Sequence, residues 1–293
     1  MQVGVIDVGS NSVRLLVARL SGGRLSPVRE ERVRLGLGED IERLGAVSPA
    51  KLVETARSVR EFAQLSRAHG IERLEVVVTA PGRQSANATA LVKELALSAA
   101  VPVRVLSAEE EGRFAYAGAA AALDNLPKTL AVCDIGGGST EIVIGTHTSG
   151  PVWLRSFDLG AVRLTHRLLA ADPPDAKAVG RAGTLVEKTI KGAVPPLCER
   201  ALASGGTARA LRRVVGTVLG PDQLDYALHV STSGPARAVA REFGIDPRRA
   251  RTLPAGILIL AAIQRRLVVP LEVSSTGLRE GVALALLSEA AAA

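Results

Sequence analysis

Two segments of the chain join an aspartate to a turn of small residues, and both have the composition of a phosphate-binding site. The first is VGVIDVGSNS at residues 3–12 and the second is LAVCDIGGGSTE at residues 130–141, and an apolar stretch follows each. Glycine lets backbone N–H groups approach a phosphate closely, and an aspartate at the end of a strand can hold Mg²⁺. The pattern predicts two strand–turn–strand units that grip a polyphosphate between them.

Three carboxylates of these segments are candidate ligands of Mg²⁺, with Mn²⁺ as the second choice of metal: Asp7, Asp134 and Glu141. Mg²⁺ usually takes one or two carboxylates and completes its shell with water and phosphate oxygens. The alternative is that each aspartate only caps its own turn, and the matched pair of segments favours the metal. The candidate phosphate-binding residues are Ser10, Asn11, Ser12, Arg14, Gly136, Gly137, Gly138, Ser139 and Thr140.

A further pair of glycines, Gly205 and Gly206, lies between a predicted strand and a predicted helix. The N–H groups at the start of a helix bind phosphate readily, so both glycines are added to the phosphate-binding candidates. A tight strand-to-helix turn explains the same residues equally well.

The candidate base lies in a run of three glutamates, Glu109, Glu110 and Glu111, at the start of a predicted helix. The helix dipole favours negative charge there, so a structural role is the alternative to proton transfer from water. The residue types alone leave the three glutamates equivalent. Arg83 follows a predicted strand and a Pro–Gly turn, and its planar guanidinium suits phosphate, although a solvated loop arginine is the common alternative.

Length and composition limit the class of protein. A chain of 293 residues suits two domains, and its net charge of +7 favours anionic partners. The aromatic fraction of 2% argues against binding to single-stranded nucleic acid. No GxxxxGK[ST] segment is present, no apolar run approaches the about 20 residues of a membrane span, and the chain starts with a strand rather than a signal peptide. We therefore expect a cytoplasmic protein without a nucleic-acid or membrane partner.

Alternating strands and helices position these residues. Asp124–Pro127 is polar and contains a proline, so it marks the boundary between domains at 1–124 and 125–293, and we leave open that the last helix packs back on the first domain. The predicted strands are 3–8, 13–20, 29–35, 74–79, 103–106, 129–134, 141–146, 152–158, 200–204 and 271–273. The predicted helices include 49–70, 84–99, 109–122, 235–243, 255–267, one from Ala208 and one from Leu278.

Six segments, in order, resemble the exopolyphosphatase/guanosine pentaphosphate phosphohydrolase family, a branch of the actin-like ATPase superfamily. The resemblance extends from Val5 to about Leu287. It is carried by IDVGSNSVRL (6–15), VTAPGR (78–83) with Asn87-Ala88, LSAEEEGR (106–113), DIGGGSTE (134–141), DLGAVRL (158–164) and GLREG (277–281).

The resemblance implies an α/β fold with two actin-like (ribonuclease H-like) domains flanking a central cleft, and a homodimer. The family's catalytic glutamate aligns with Glu111, with Glu110 as the second choice, and its arginine facing the terminal phosphate aligns with Arg83. Two departures stand out. Ala80-Pro81-Gly82 replaces the family's usual residues before the arginine, and Ser275-Thr276 replaces a usual Ser-Asp.

The function implied is Mg²⁺-dependent hydrolysis of the terminal phosphoanhydride of inorganic polyphosphate, with release of orthophosphate. Longer family members carry a further C-terminal helical domain, so we expect a preference for short chains. The alternatives are a guanosine pentaphosphate 5'-phosphohydrolase, a phosphotransferase or kinase of the same superfamily, and a non-catalytic sensor of polyphosphate or guanosine tetraphosphate.

Overall fold

The computed structural model describes residues 1–292, which form two compact units. The first unit comprises Met1–Ala122 together with the chain from Thr276 onward, and the second comprises Leu123–Ser275. The boundary after Ala122 lies beside the polar segment Asp124–Pro127. The last helix belongs to the first unit.

The first part of the chain alternates strands and helices. Its elements are β1 (Gln2–Val8), β2 (Ser12–Ser21), β3 (Arg24–Arg34), α1 (Leu37–Leu44), α2 (Pro49–Ala68), β4 (Arg73–Val78), α3 (Ala80–Gln84), α4 (Ala88–Ala99), β5 (Val103–Val105) and α5 (Ala108–Ala120). The strands form one sheet in the order β3-β2-β1-β4-β5. β1, β2 and β3 are antiparallel neighbours, whereas β4 and β5 run parallel to β1.

The second unit repeats this opening around a six-stranded sheet. Its elements are β6 (Thr129–Ile135), β7 (Thr140–Thr146), β8 (Gly150–Phe157), α6 (Ala161–Leu168), α7 (Ala176–Ile190), β9 (Arg200–Ser204), α8 (Gly205–Val215), β10 (Val218–Leu219), α9 (Pro221–Thr232), α10 (Ala236–Phe243), α11 (Pro247–Leu267) and β11 (Leu271–Val273). The strand order is β10-β11-β9-β6-β7-β8. The chain then returns to the first unit as α12 (Leu278–Ala292).

Helices cover both faces of the first sheet, as the alternation along β1 shows. Ile6 and Val8 are buried with residues of α2 and α4, whereas Val3 and Val5 are buried with residues of α12. Because successive side chains of a strand point to opposite faces, Asp7 lies on the face of Val3 and Val5. In the second unit one large apolar core joins β6, β7 and β9 to α6, α7, α8, α9 and α11.

Some elements differ from the sequence prediction. The predicted helix 84–99 is interrupted at Ser85–Asn87, because the side chains of Ser85 and Asn87 accept hydrogen bonds from Val47 N (3.2 and 3.0 Å) instead of facing solvent. Such bonds compete with helix formation. β3 begins at Arg24, α8 at Gly205 and α11 at Pro247, all earlier than predicted. α1, α3, α9 and β10 were not predicted, and α3 stands where a Pro–Gly turn was expected.

None of the helices within residues 1–292 combines the length and the apolar character of a membrane-spanning segment.

Candidate functional site

The two aspartate segments form β-hairpins with the same register. In the first, Asp7 pairs with Arg14 across β1 and β2, and Gly9 N donates to Ser12 O at 3.1 Å. In the second, Asp134 pairs with Glu141 across β6 and β7, and Gly136 N donates to Ser139 O at 3.0 Å. The repeat seen in the sequence therefore extends to individual hydrogen bonds.

The carbonyl groups of the second turn are held by the start of α6. Gly136 O accepts from Ala161 N at 3.0 Å, and Gly137 O accepts from Val162 N at 3.0 Å. In a planar trans peptide the C=O and N–H groups point in opposite directions. The N–H groups of Gly137 and Gly138 therefore point away from α6, which is the orientation that an anion-binding turn requires.

Gly160, immediately before α6, makes this arrangement sterically feasible. A Cβ atom on Gly160 would overlap the Gly137 carbonyl and would lie 2.5 Å from Gly138 N. No residue other than glycine fits there. Thr140 was a candidate phosphate-binding residue, and in the structure its hydroxyl donates to Leu159 O, the carbonyl group directly before Gly160. Sequence reasoning included Gly160 in a family segment but gave it no role, although a glycine directly before a helix is a readable signal.

The first turn is supported in a similar way. Ser10 O accepts from Gly38 N at 2.7 Å, and Asn11 O accepts from Leu35 N at 3.1 Å and from Gly36 N at 3.2 Å. Gly36 is the N-cap of α1 and has a φ of 65°, a left-handed conformation that favours glycine. The start of α1 thus holds the first turn, as the start of α6 holds the second.

Gly36 is supported by an ion pair between Lys51 and the buried Asp40. The Lys51 ammonium donates to Gly36 O at 2.6 Å and lies 3.2 Å from the carboxylate of Asp40, which is 3% exposed. Burial raises the pKa of Asp40, but hydrogen bonds from Ser48 and the charge of Lys51 outweigh burial, so that its pKa lies below 3.8. The sequence offered no sign of this support, because its members are joined only by the tertiary fold.

The two candidate catalytic residues meet in the first unit. Arg83 Nη2 donates to Glu111 Oε2 at 2.8 Å, and Arg83 Nη1 donates to Leu106 O at 2.7 Å. The Glu111 residue is 6% exposed. A Cβ on Gly82 would lie 2.8 Å from a methyl group of Val105, so this glycine lets α3 pack close to β5.

The neighbouring glutamates have other partners. Glu110 completes a capping box with Ser107, in which Ser107 N donates to Glu110 Oε2 at 2.8 Å, and it also pairs with Arg104. That pairing with Arg104 is the main reason that the pKa of Glu110 lies below its usual value. Glu109 pairs with Arg113 on the exposed side of α5. Of the three glutamates, Glu111 alone is buried beside Arg83.

Sheet topology brings these groups to one edge of the first unit. β1, β4 and β5 are parallel neighbours, and the carboxyl ends of parallel strands meet at one edge of a sheet. Thr79 N donates to Val8 O at 3.1 Å, and Leu106 N donates to Val78 O at 2.9 Å. The first turn, α3 with Arg83 and the start of α5 with Glu111 therefore follow three adjacent strand ends.

The candidate metal ligands differ between the hairpins. Asp134 and Glu141 are direct cross-strand partners, so their carboxylates share one face of the sheet. Ser204 Oγ donates to Asp134 Oδ1 and Ser156 Oγ donates to Glu141 Oε1, both at 2.8 Å. Two carboxylates fit the usual protein contribution to a Mg²⁺ shell, and within the described residues no group of three or more His, Cys, Asp and Glu forms a larger metal cluster.

Opposite Asp7, in contrast, stands the cationic Arg14, whose Nε donates to Ser12 Oγ at 3.2 Å. The first hairpin therefore presents a carboxylate with an arginine at the position where the second presents two carboxylates. Asp7 fits a Mg²⁺ site less well than the pair in the second unit does.

The glycine pair at residues 205–206 begins α8 directly. Gly205 has a φ of 93°, and a Cβ there would lie 2.5 Å from Ile135 O at the end of β6. Gly206 lies against the side chain of Arg249, whose guanidinium carbon would be 2.6 Å from a Cβ. The structure thus brings both glycines to the edge of the sheet that carries Asp134.

Paired aspartate hairpins with helix-supported turns, and a buried Glu–Arg pair at one of them, define an α/β protein equipped to handle phosphoanhydrides. The sequence profile of the Ppx/GppA phosphatase family matches residues 16–290. The chain belongs to this family, so the predicted family, the α/β fold and the hydrolase class are confirmed.

Individual relatives agree with this assignment. Exopolyphosphatase 2 of Mycobacterium tuberculosis is 30% identical, and the match covers 97% of this chain and 98% of that protein. A guanosine-5'-triphosphate,3'-diphosphate pyrophosphatase of Pseudoalteromonas atlantica is 28% identical, and the match covers 96% of this chain but 58% of that protein. The crystal structure of the Aquifex aeolicus family member superposes with a TM-score of 0.83 at 30% identity, covering 100% of this chain and 98% of that one.

Proposed function

We propose that the chain is a Mg²⁺-dependent exopolyphosphatase that releases orthophosphate from the end of inorganic polyphosphate. The observation that carries the proposal is the buried Glu111–Arg83 pair at the sheet edge that also carries the first turn. An arginine and turn N–H groups bind phosphate oxygens, and a carboxylate beside them can take a proton from water. Together with Mg²⁺, these groups would suffice to position the phosphate and the attacking water for hydrolysis without a covalent intermediate.

In the proposed reaction Glu111 accepts a proton from the water that attacks the terminal phosphorus. Arg83 donates one N–H group to Glu111 and one to Leu106 O. Because a guanidinium carries five N–H donors, it has further donors that could bind a phosphate oxygen. The same side chain would thus orient the base and neutralise charge on the phosphoryl group.

Mg²⁺ is proposed to be held by Asp134 and Glu141 in the second unit, where it would neutralise phosphate charge. Like charges directly opposite each other destabilise a sheet, so a cation favours this pair. Asp7 is retained as a weaker candidate because Arg14 faces it.

A second substrate, the preferred chain length and the oligomeric state stay predictions. Guanosine pentaphosphate is the second candidate substrate because a relative is named for a guanosine pentaphosphate activity, but that match covers 58% of the relative against 98% for the exopolyphosphatase. An aromatic fraction of 2% also leaves few rings to stack on a guanine. A preference for short chains and a homodimeric state remain expectations, to be tested with chains of graded length and by light scattering.

The test compares phosphate release from short polyphosphate, long polyphosphate, guanosine pentaphosphate and ATP, with Mg²⁺ or EDTA. Glu111→Gln should lower kcat on polyphosphate about 10²–10⁴-fold, the range that general base catalysis supplies. Glu109→Gln, an exposed carboxylate two residues earlier on the same helix, is the matched control and should retain wild-type kcat.

Each other outcome changes the proposal. Release only from guanosine pentaphosphate would make that nucleotide the substrate, and transfer of phosphate to ADP in place of water would indicate a kinase. Full activity of Glu111→Gln would refute the role of Glu111, and no release from any compound would favour a sensor.

A further inference from the structure

The segment Gly277–Gly281 (GLREG) opens α12 and has no role in the proposed reaction. Its own conformation is closed by Glu280, whose side chain accepts from Gly277 N at 2.8 Å and is 7% exposed. Gly281 N donates to Gly277 O at 3.0 Å. The segment is therefore a rigid first turn of α12.

Two glycines, Gly281 of this segment and Gly118 of α5, let the main chain of α12 lie directly on α5. A Cβ on Gly281 would overlap the Phe114 carbonyl oxygen and would lie 2.7 Å from its carbon. A Cβ on Gly118 would overlap Gly277 O and would lie 2.6 Å from Gly281 N. Phe114 follows Glu111 by one helical turn, so the contact lies next to the candidate base.

Arg279 connects the same segment to the phosphate-binding hairpin. Its Nη1 donates to Leu15 O at 3.0 Å, and its Nη2 donates to Glu30 Oε1 at 2.8 Å. Leu15 follows Arg14 on β2, the strand that leaves the first turn. The Arg279 side chain is 11% exposed and that of Glu30 is 53% exposed, so the bond to Leu15 O is the better shielded of the two.

We infer that Gly281 and Arg279 are positioning residues that fix Glu111 relative to the first phosphate-binding turn. Within this segment, Gly277 and Gly281 contact the helix that carries Glu111, and Arg279 contacts the strand that carries Arg14. No other side chain fits at Gly281, so the spacing between the two helices is set by backbone contact. The inference rests on the proposed catalytic role of Glu111.

Gly281→Ala tests this inference. Non-bonded heavy atoms need about 3.5 Å, and the added methyl group would overlap Phe114 O, so α12 and α5 must move apart by more than about 1 Å. A misplacement of about 1 Å can cost about 10²-fold in rate. We expect kcat for polyphosphate to fall by that factor and KM to change much less, because the first turn keeps its support from α1.

The matched control is Gly180→Ala on the exposed face of α7, where a Cβ meets no atom within 4 Å. It should retain wild-type kcat and a cooperative thermal unfolding transition. Should Gly281→Ala fail to fold, Arg279→Lys replaces it, because lysine has a single nitrogen in place of the two guanidinium nitrogens that separately contact Leu15 O and Glu30. We expect a smaller fall in kcat in that variant.

A double-mutant cycle with Glu111→Gln separates positioning from general damage. A residue that acts through Glu111 should have little left to remove once that carboxylate is gone, so Gly281→Ala should change the residual kcat of Glu111→Gln less than threefold. Equal losses in both backgrounds, or full kcat in a folded Gly281→Ala protein, would overturn the inference alone. Wild-type kcat in Glu111→Gln would instead refute the proposed function and this inference with it.

Discussion

Replacing Glu141 by glutamine removes one of the two carboxylates that face each other across β6 and β7, while the shape of the side chain is kept. The glutamine oxygen can still accept the hydrogen bond from Ser156 Oγ, which is 2.8 Å from Glu141 Oε1. The substitution therefore isolates the charge at a position that is 1% exposed.

The expected effect on stability has opposite signs with and without Mg²⁺. Removing one of two facing like charges should stabilise the metal-free protein by about 0.2–1 kcal/mol. In the wild type, Mg²⁺ at about 100 times its dissociation constant should add about 2.7 kcal/mol. For a unit of this size that corresponds to a rise in Tm of about 5–10 °C.

Mutating a residue that only hydrogen-bonds to a metal ligand typically lowers metal affinity by about 10–100-fold. Loss of Glu141, a direct ligand in the proposed site, should lower the Mg²⁺ affinity by at least that factor. At the same Mg²⁺ concentration the Glu141→Gln protein should then gain only about 0.4–1.5 kcal/mol, or a few degrees in Tm.

The assay is thermal unfolding followed by circular dichroism in EDTA and across a Mg²⁺ titration. Glu109→Gln serves as the control for loss of a carboxylate, and Asp7→Asn shows whether the first hairpin shares the metal. The reasoning predicts a normal Mg²⁺ response for Glu109→Gln and a smaller loss for Asp7→Asn than for Glu141→Gln. If the Mg²⁺-induced rise in Tm is the same in Glu141→Gln and the wild type, Glu141 is not a ligand.

Two further substitutions test the supports of the turns. Gly160→Ala must displace the Gly137–Gly138 peptide by about 1 Å, because a Cβ would lie 2.5 Å from Gly138 N. We therefore expect kcat/KM for polyphosphate to fall about 10²-fold. A folded variant with unchanged kcat/KM would exclude a role of Gly160 in supporting the second turn. Asp40→Asn should destabilise the protein at neutral pH. Because folding lowers the pKa of Asp40 from its ordinary value of 3.8, the extra stability of the wild type is complete at pH values well above 3.8 and is lost as the pH falls through the pKa of the folded protein. Urea unfolding between pH 7 and pH 3 should therefore show the difference in unfolding free energy becoming smaller. A constant difference would contradict the assignment.

The strands that carry the turns were predictable because their signal is local. Apolar runs end in Asp7-Val8-Gly9 and Asp134-Ile135-Gly136. The observed β1 starts one residue before the predicted 3–8, and the observed β6 ends one residue after the predicted 129–134. The supporting elements depend on contacts distant in sequence. The start of α1 is fixed by bonds from Gly36 N and Gly38 N to the first turn, and no pattern within residues 36–44 encodes those bonds.

The assignment among the three glutamates shows what sequence could and could not decide. Ser107 and Glu110 have the spacing of a capping box, so the sequence could have assigned Glu110 to the helix end, as the structure does. The choice between Glu109 and Glu111 needs the third dimension. Arg83 is 28 residues before Glu111 and reaches it because β4 and β5 are neighbours that end at one edge.

The two hairpins have the same strand register, the same turn hydrogen bond and similar helix support. Their electrostatics differ because of the residue that pairs with the aspartate, which is Arg14 in the first hairpin and Glu141 in the second. An arginine opposite Asp7 places a permanent cation beside the first turn, whereas the glutamate opposite Asp134 doubles the negative charge beside the second. A phosphate at a turn needs positive charge next to it. In the proposed function, Arg14 would supply that charge in the first hairpin, and in the second the pair of carboxylates would supply it by binding Mg²⁺. The residue that faces each aspartate would therefore decide how its own hairpin neutralises a phosphate.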